Sequence, residues 1–193
     1  MAELFELFVA SITSQNIALM FILGMCPLIA VSTSVRNAKG MGVAVIFVVT
    51  ITAMINYPIY VLLRSTGSTN IQLLVFIATI AATVQFLEMF LDKFIPRLYN
   101  AFGIFLPLIT VNCAVLAVSL FFVNRTYNFV QTTTFAFGSG IGWALAIILV
   151  AGLREKMART SDVPKGLAGK GIVFIVLGIL SLAFIGFTGL ASA

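Results

Sequence analysis

Two cysteines stand at matching places in two matching stretches of an otherwise apolar sequence. The first stretch reads Gly24-Met25-Cys26-Pro27-Leu28-Ile29-Ala30-Val31-Ser32, and the second Val111-Asn112-Cys113-Ala114-Val115-Leu116-Ala117-Val118-Ser119. With Cys26 set on Cys113, the match continues through Ala30/Ala117, Val31/Val118 and Ser32/Ser119. Thiolates are soft metal ligands and redox-active groups. A membrane chain with one thiol in each of two repeated halves can bring them together on a symmetry axis, so metal or redox chemistry inside the membrane is the leading reading. Two others stay open on the residues alone. A cysteine in an apolar helix is also an ordinary small hydrophobe, and the pair could close a disulfide. An all-cysteine iron–sulfur centre needs four thiolates, so this chain would need two more from another, such as a homologous protein related to it by a pseudo-two-fold axis.

The elements that must position these thiols follow from composition. Of the 193 residues, 61% are hydrophobic and 9% charged, and histidine is absent. Soluble domains carry about 25% charged residues, so this is the composition of an integral membrane protein with little length left for a soluble catalytic domain. Without histidine, and with six acidic residues, most general acid–base and zinc chemistry is excluded. The apolar runs divide into six transmembrane helices at about 4–30, 40–63, 71–91, 99–123, 129–152 and 170–190, since a span needs roughly 20 residues. Glu3 and Glu6 replace the basic start of a signal peptide, so the first helix is expected to be retained. The whole chain, 1–193, is read as one transmembrane domain.

The net charge of +5 is distributed in a way that points to a bilayer and not to nucleic acid. Arg36, Lys39, Lys93, Arg97, Arg154, Lys156, Arg159, Lys165 and Lys170 fall in or beside odd-numbered loops, and Arg64 and Arg125 in even-numbered ones. By the positive-inside rule the odd loops are cytoplasmic and both termini lie on the far side. Asn124-Arg125-Thr126 matches a glycosylation acceptor pattern, a match of little weight in so apolar a chain.

The repeat extends beyond the cysteines. Gly40-Met41-Gly42-Val43-Ala44 opens the second helix, and Gly140-Ile141-Gly142-Trp143-Ala144 lies in the fifth. Three helices per half is an odd number, so halves 1–98 and 99–193 form an inverted repeat. The fold class is all-α integral membrane, with interrupted first and fourth helices. Gly24 and Pro27 flank Cys26, and Gly103 and Pro107 precede Cys113. Inverted repeats place ligands near the midplane on such interrupted helices, where irregular backbone survives only against protein or a cavity. Gly138-x-x-x-Gly142 reads as a helix-packing motif, and Asn56-Tyr57-Pro58 as a kink. Glu88, with Asp92 and Gln85 nearby, is the candidate for an ion pathway, because intramembrane acids are functional candidates by default. The plainer role for Glu88 is pairing with Lys93 or Arg97.

Leu23-Gly24-Met25-Cys26-Pro27 and the run Leu98-Tyr99-Asn100-Ala101-Phe102-Gly103-Ile104-Phe105-Leu106-Pro107-Leu108-Ile109-Thr110-Val111-Asn112-Cys113-Ala114-Val115 resemble the Nqr/Rnf family of small membrane subunits. Val84-Gln85-Phe86-Leu87-Glu88-Met89, Arg154-Glu155-Lys156-Met157 and Ser161-Asp162-Val163-Pro164 match it as well, so the resemblance covers essentially the whole chain. Within the family it leans to the E-type branch of the Na+-translocating NADH:quinone reductases. The alternative is the A-type branch of Rnf complexes, which pass electrons between ferredoxin and NAD. The resemblance implies a multi-pass component of the bacterial inner membrane, with both termini periplasmic, in a six-subunit complex. It implies pairing with the paralogous D-type membrane protein of that complex, and Cys26 and Cys113 as two of four ligands of a shared [2Fe–2S] centre. Electrons would pass from the cytoplasmic NADH-oxidising component toward flavins on the opposite side and on to ubiquinone. NAD, FAD, FMN, riboflavin and ubiquinone would sit on other components, so this chain would carry no complete active site. Two further classes share the architecture: a secondary transporter with inverted repeats, and a structural scaffold.

Overall fold

The computed structural model describes residues 2–67, 71–94, 109–160 and 170–191. Its elements there are helices: α1 (Ala2–Ile12), α2 (Ile17–Met20), α3 (Met25–Val31), α4 (Val35–Thr66), α5 (Gln72–Phe94), α6 (Cys113–Asn124), α7 (Phe129–Thr160) and α8 (Lys170–Ala191). Three of them, Val35–Thr66, Gln72–Met89 within α5, and Phe129–Thr160, are long and apolar enough to cross a membrane; shorter apolar helices cover Cys113–Asn124 and Lys170–Gly186.

The first apolar run is three pieces instead of one span with a single break. Asn16 makes the first division. Its Nδ2 donates to the Ile12 carbonyl at the end of α1 (3.1 Å) and to the Gly142 carbonyl on α7 (2.9 Å). Its Oδ1 accepts from the Ala18 and Leu19 amides that open α2 (3.0 and 3.3 Å). One fully buried side chain thus closes one helix, caps the next and ties both to a third. The second division falls at 21–24, where Ile22 (φ +54°) and Gly24 (φ +78°) both turn left-handed. Glycine takes that conformation freely, whereas a β-branched residue is strained there. Pro27 does not interrupt the chain. It lies in the first turn of α3, where its missing N–H leaves no intrahelical bond unmade. The expected interruption is therefore the work of Gly24 and Ile22. In the second half, Gly103 and Pro107 lie outside the described residues. A break does precede Cys113, where Asn112 (φ −76°, ψ 113°) N-caps α6 by accepting from the Ala114 amide at 3.0 Å.

The core is built on α4 against α7, which run antiparallel. A Cβ on Gly42 would lie 2.9 Å from Ala144 Cβ, and one on Gly140 2.9 Å from Ile46 Cα. Farther along, the rings of Tyr57 and Phe129 meet at 5.4 Å. Residue by residue, α7 descends as α4 climbs. Small residues at the crossing let the backbones approach. Gly138 and Gly142 serve α7's other neighbour: their missing Cβ atoms make room for Ser11, and for Asn16 and the Ile12 carbonyl, so that motif does pack helices. Helix α4 continues through Asn56-Tyr57-Pro58 to Thr66 as a single element. It closes at Gly67 (φ +71°), whose amide returns to the Arg64 and Leu63 carbonyls. Helix α5 lies on α4 and α6, and α8 on α2 and α7. Trp143, Phe76, Phe122 and Phe135 fill the interior, while Phe86, Leu74 and Leu182 stand outward in a manner that suits lipid.

Candidate functional site: the meeting of the two broken segments

The two cysteine segments come together at Gly24. A Cβ there would lie 2.5 Å from Trp143 Nε1, 3.0 Å from Asn112 Oδ1 and 3.1 Å from Ala114 Cβ. Gly24 caps the helix of Cys26, while Asn112 and Ala114 flank Cys113. The backbone just before one thiol therefore packs against the residues on either side of the other, with the Trp143 indole of α7 wedged behind both. Both thiols are free; Cys26 is exposed and Cys113 half-buried. They sit in the first turns of α3 and α6. Two donors at this junction are buried and unpartnered: Asn112 Nδ2 and Trp143 Nε1, on residues 2% and 1% exposed. Unused buried donors are rare and costly.

Both ends of α3 are held by α7. At the far end, Arg154 Nη1 donates to the Ile29 carbonyl (3.2 Å) and to Ser32 Oγ (3.1 Å). The cation thus satisfies a carbonyl in the last turn, where positive charge is favourable. Arg154 does more than supply loop charge. A similar polar link joins α4 to α6, where Asn56 Nδ2 donates to Ser119 Oγ at 2.9 Å. Arg125 also turns inward. It binds Gln15 Oε1 and Tyr127 OH, and its guanidinium lies 5.8 Å from the Phe121 and Phe135 ring centres.

Residues 4–191 match the family described as Rnf-Nqr subunit, membrane protein. The chain belongs to the Rnf-Nqr family. It is 54% identical to the E subunit of the Na(+)-translocating NADH-quinone reductase of Maridesulfovibrio salexigens, over 98% of this chain and 99% of that one. It is 48% identical to the protein of that name from Neisseria meningitidis serogroup C, over 98% and 99%. It is 50% identical to the one from Pseudomonas aeruginosa strain LESB58, over 98% of each chain.

The Rnf-Nqr chain has two thiols at its junction, and among the described residues no group of three or more His, Cys, Asp or Glu side chains could hold a metal ion. Thiols that reach the surface of the chain, next to unused buried donors, fit a sulfur-rich centre whose other ligands come from outside. Glu88 is elsewhere. It is half-buried in α5, and among the described residues it forms no ion pair with Lys93; Arg97 lies outside them. Trp143, Asn16 and Arg154 do not stand out in the sequence as site-forming residues. Trp143 is the only tryptophan in the chain, and that is the one signal the sequence offers for it.

Proposed function

We propose that this chain is the electron-relay E subunit of a Na+-translocating NADH:quinone reductase in a bacterial inner membrane. Cys26 and Cys113 supply two of the four thiolate ligands of a [2Fe–2S] centre shared with the paralogous D-type membrane protein. When bound there, such a centre would supply one-electron chemistry, and would divide a bilayer core of about 30 Å into two shorter transfers between the NADH-oxidising component and flavins on the far side. The observation that carries this reading is the packing of Gly24 between Asn112, Ala114 and Trp143, which draws both thiol-bearing turns to one place on the chain's surface.

The chain's own residues then have separate tasks. Gly24 permits the close approach, and Asn112 caps α6. Trp143 and Arg154 brace α3 at its two ends, fixing where Cys26 stands. Asn112 and Trp143 hold unused N–H groups at the junction, and donors beside a cluster would help set its potential. Six spans in two inverted halves, 1–98 and 99–193, are supported by the antiparallel crossing of α4 and α7 and by the two polar links. In that arrangement Gly42 corresponds to Gly140 and Ile46 to Ala144, two residues off the alignment of glycines by sequence alone. The relatives' name favours this branch over the ferredoxin-linked one.

The test is Cys26→Ser and Cys113→Ser in the assembled complex. A hydroxyl stays protonated and binds iron poorly, at little change in volume. NADH oxidation with an artificial acceptor should persist, because it occurs upstream on another component. Quinone reduction and Na+ transport should be lost together, along with the centre's electron-paramagnetic signal. Assembled variants that reduce quinone at wild-type rates would make the cysteines packing residues.

A further inference from the structure

Among the described residues, the buried side-chain polar atoms that lack a partner belong to Thr52, Asn56, Asn112, Thr132, Ser139 and Trp143. Asn112 and Trp143 line the cysteine junction. Thr52 Oγ1, Asn56 Oδ1 and Thr132 Oγ1 are elsewhere, each on a side chain with no exposure at all. Other threonines of these helices, including Thr50, Thr133 and Thr134, turn their hydroxyls back onto the carbonyl four residues earlier. Thr52 and Thr132 do not.

The helix register brings these three oxygens to one level. The contact of Tyr57 with Phe129 places Thr132 beside the turn of α4 that runs from Thr52 to Asn56. At 1.5 Å per residue, all three lie within about 3 Å of a common height. Thr52 lies one turn before Asn56 on the same face of α4, and Asn56 reaches Ser119 of α6. Thr132 shares its face of α7 with Trp143, three turns on, whose indole closes on the Cβ position of Gly24 together with Asn112 and Ala114 at the start of α6.

A second observation indicates what belongs there. Ser119 and Ser32 hold the same place in the matched cysteine segments, and Asn56 stands as far from Arg154 in sequence as Gly42 does from Gly140. The two polar links are therefore counterparts. In one, the serine meets the permanent cation of Arg154. In the other it meets neutral Asn56, whose carbonyl oxygen is unused beside two unused hydroxyls. One half carries its own positive charge where the other presents bare oxygens.

We propose that Thr52, Asn56 and Thr132 form a binding site for a small monovalent cation of the Na+ type. Hard neutral oxygens replace a hard ion's hydration shell, and no carboxylate among the three calls for a divalent ion. Backbone carbonyls or water complete the shell. The site's residues are separate from the cysteine relay; its use in Na+ translocation rests on the function proposed above.

The test uses the assembled complex at constant ionic strength, with NaCl replacing choline chloride. Thr52→Val and Thr132→Val each remove one oxygen at nearly constant volume. Na+ should raise the melting temperature of the wild type, and the Na+ concentration for half the effect should rise at least about tenfold in each variant, as expected when a metal's surroundings lose a ligand. In choline the variants should melt at or above the wild type, because an unpartnered buried hydroxyl has gone. Unchanged Na+ dependence in both variants, whether from an ordered water or from packing alone, overturns the site. Cys26→Ser and Cys113→Ser should leave the Na+-dependent shift intact, so failure of the relay and failure of this site are told apart.

Discussion

Gly24→Ala probes the junction most directly. Two terms oppose the added methyl. Gly24 sits at φ +78°, and a left-handed conformation costs an L-residue about 1–2 kcal/mol. The methyl would also arrive 2.5 Å from Trp143 Nε1 and 3.1 Å from Ala114 Cβ. The indole is a rigid ring in a filled interior, so overpacking adds about 1–3 kcal/mol. Together these reach roughly 2–5 kcal/mol, a large share of a typical total stability of about 5–15 kcal/mol. The two terms separate in a double-mutant cycle with Trp143→Phe, which deletes the clashing nitrogen. The steric part should be recovered and the backbone part should remain, leaving a coupling of about 1–3 kcal/mol between the two sites. Gly152→Ala is the control: nothing lies within 4 Å of its Cβ position, so it should be neutral or stabilise α7 by about 0.5–1 kcal/mol. Detergent melts give the stabilities, and iron content of the assembled complex tests whether the cluster proposed above depends on this packing. A Gly24→Ala variant as stable as the Gly152→Ala control, or additive effects of Gly24→Ala and Trp143→Phe, would refute the packing argument.

Arg154→Ala should destabilise by about 2 kcal/mol, the range for hydrogen bonds to a charged group, and Arg154→Gln should recover part of it; equal melting of all three proteins would remove Arg154 from the support of α3. Asn16→Leu should lower stability by about 2 kcal/mol or more, since it deletes a cap and leaves the Gly142 and Ile12 carbonyls without their donor, and an unchanged melt would contradict that. A thiol introduced at Thr66 should react with an impermeant reagent added outside intact cells, and one at Ala158 only after the membrane is opened; the reverse labelling would invert the orientation read from the basic residues.

The membrane class, most helix positions and the pairing of the two cysteine segments were legible in the sequence, because hydropathy, turn chemistry and repetition are local signals. Helices α4, α5, α7 and α8 cover four of the expected segments, α4 and α7 running beyond the expected bounds, and the first three are long and apolar enough to cross a membrane. Local rules also expected breaks near Cys26 and Cys113, although Pro27 lies in the first turn of a helix, Ile22 turns left-handed, and the break described before Cys113 falls at Asn112. The family was equally legible from short runs around the thiols. Other features were decided only by the tertiary structure. Asn16 is an unremarkable polar residue until Gly142, 126 residues away, offers its carbonyl. Arg154 reads as loop charge until the end of α3 lies beside it, and Trp143 reads as one more apolar residue until Gly24 is pressed against its nitrogen. Thr52 and Thr132 look like any helical threonines until their oxygens prove to be buried and unshared. Hydropathy and helix propensity act over a few neighbouring residues. The partner of a buried polar atom is chosen by which helix faces meet, and that contact exists only once the chain has packed.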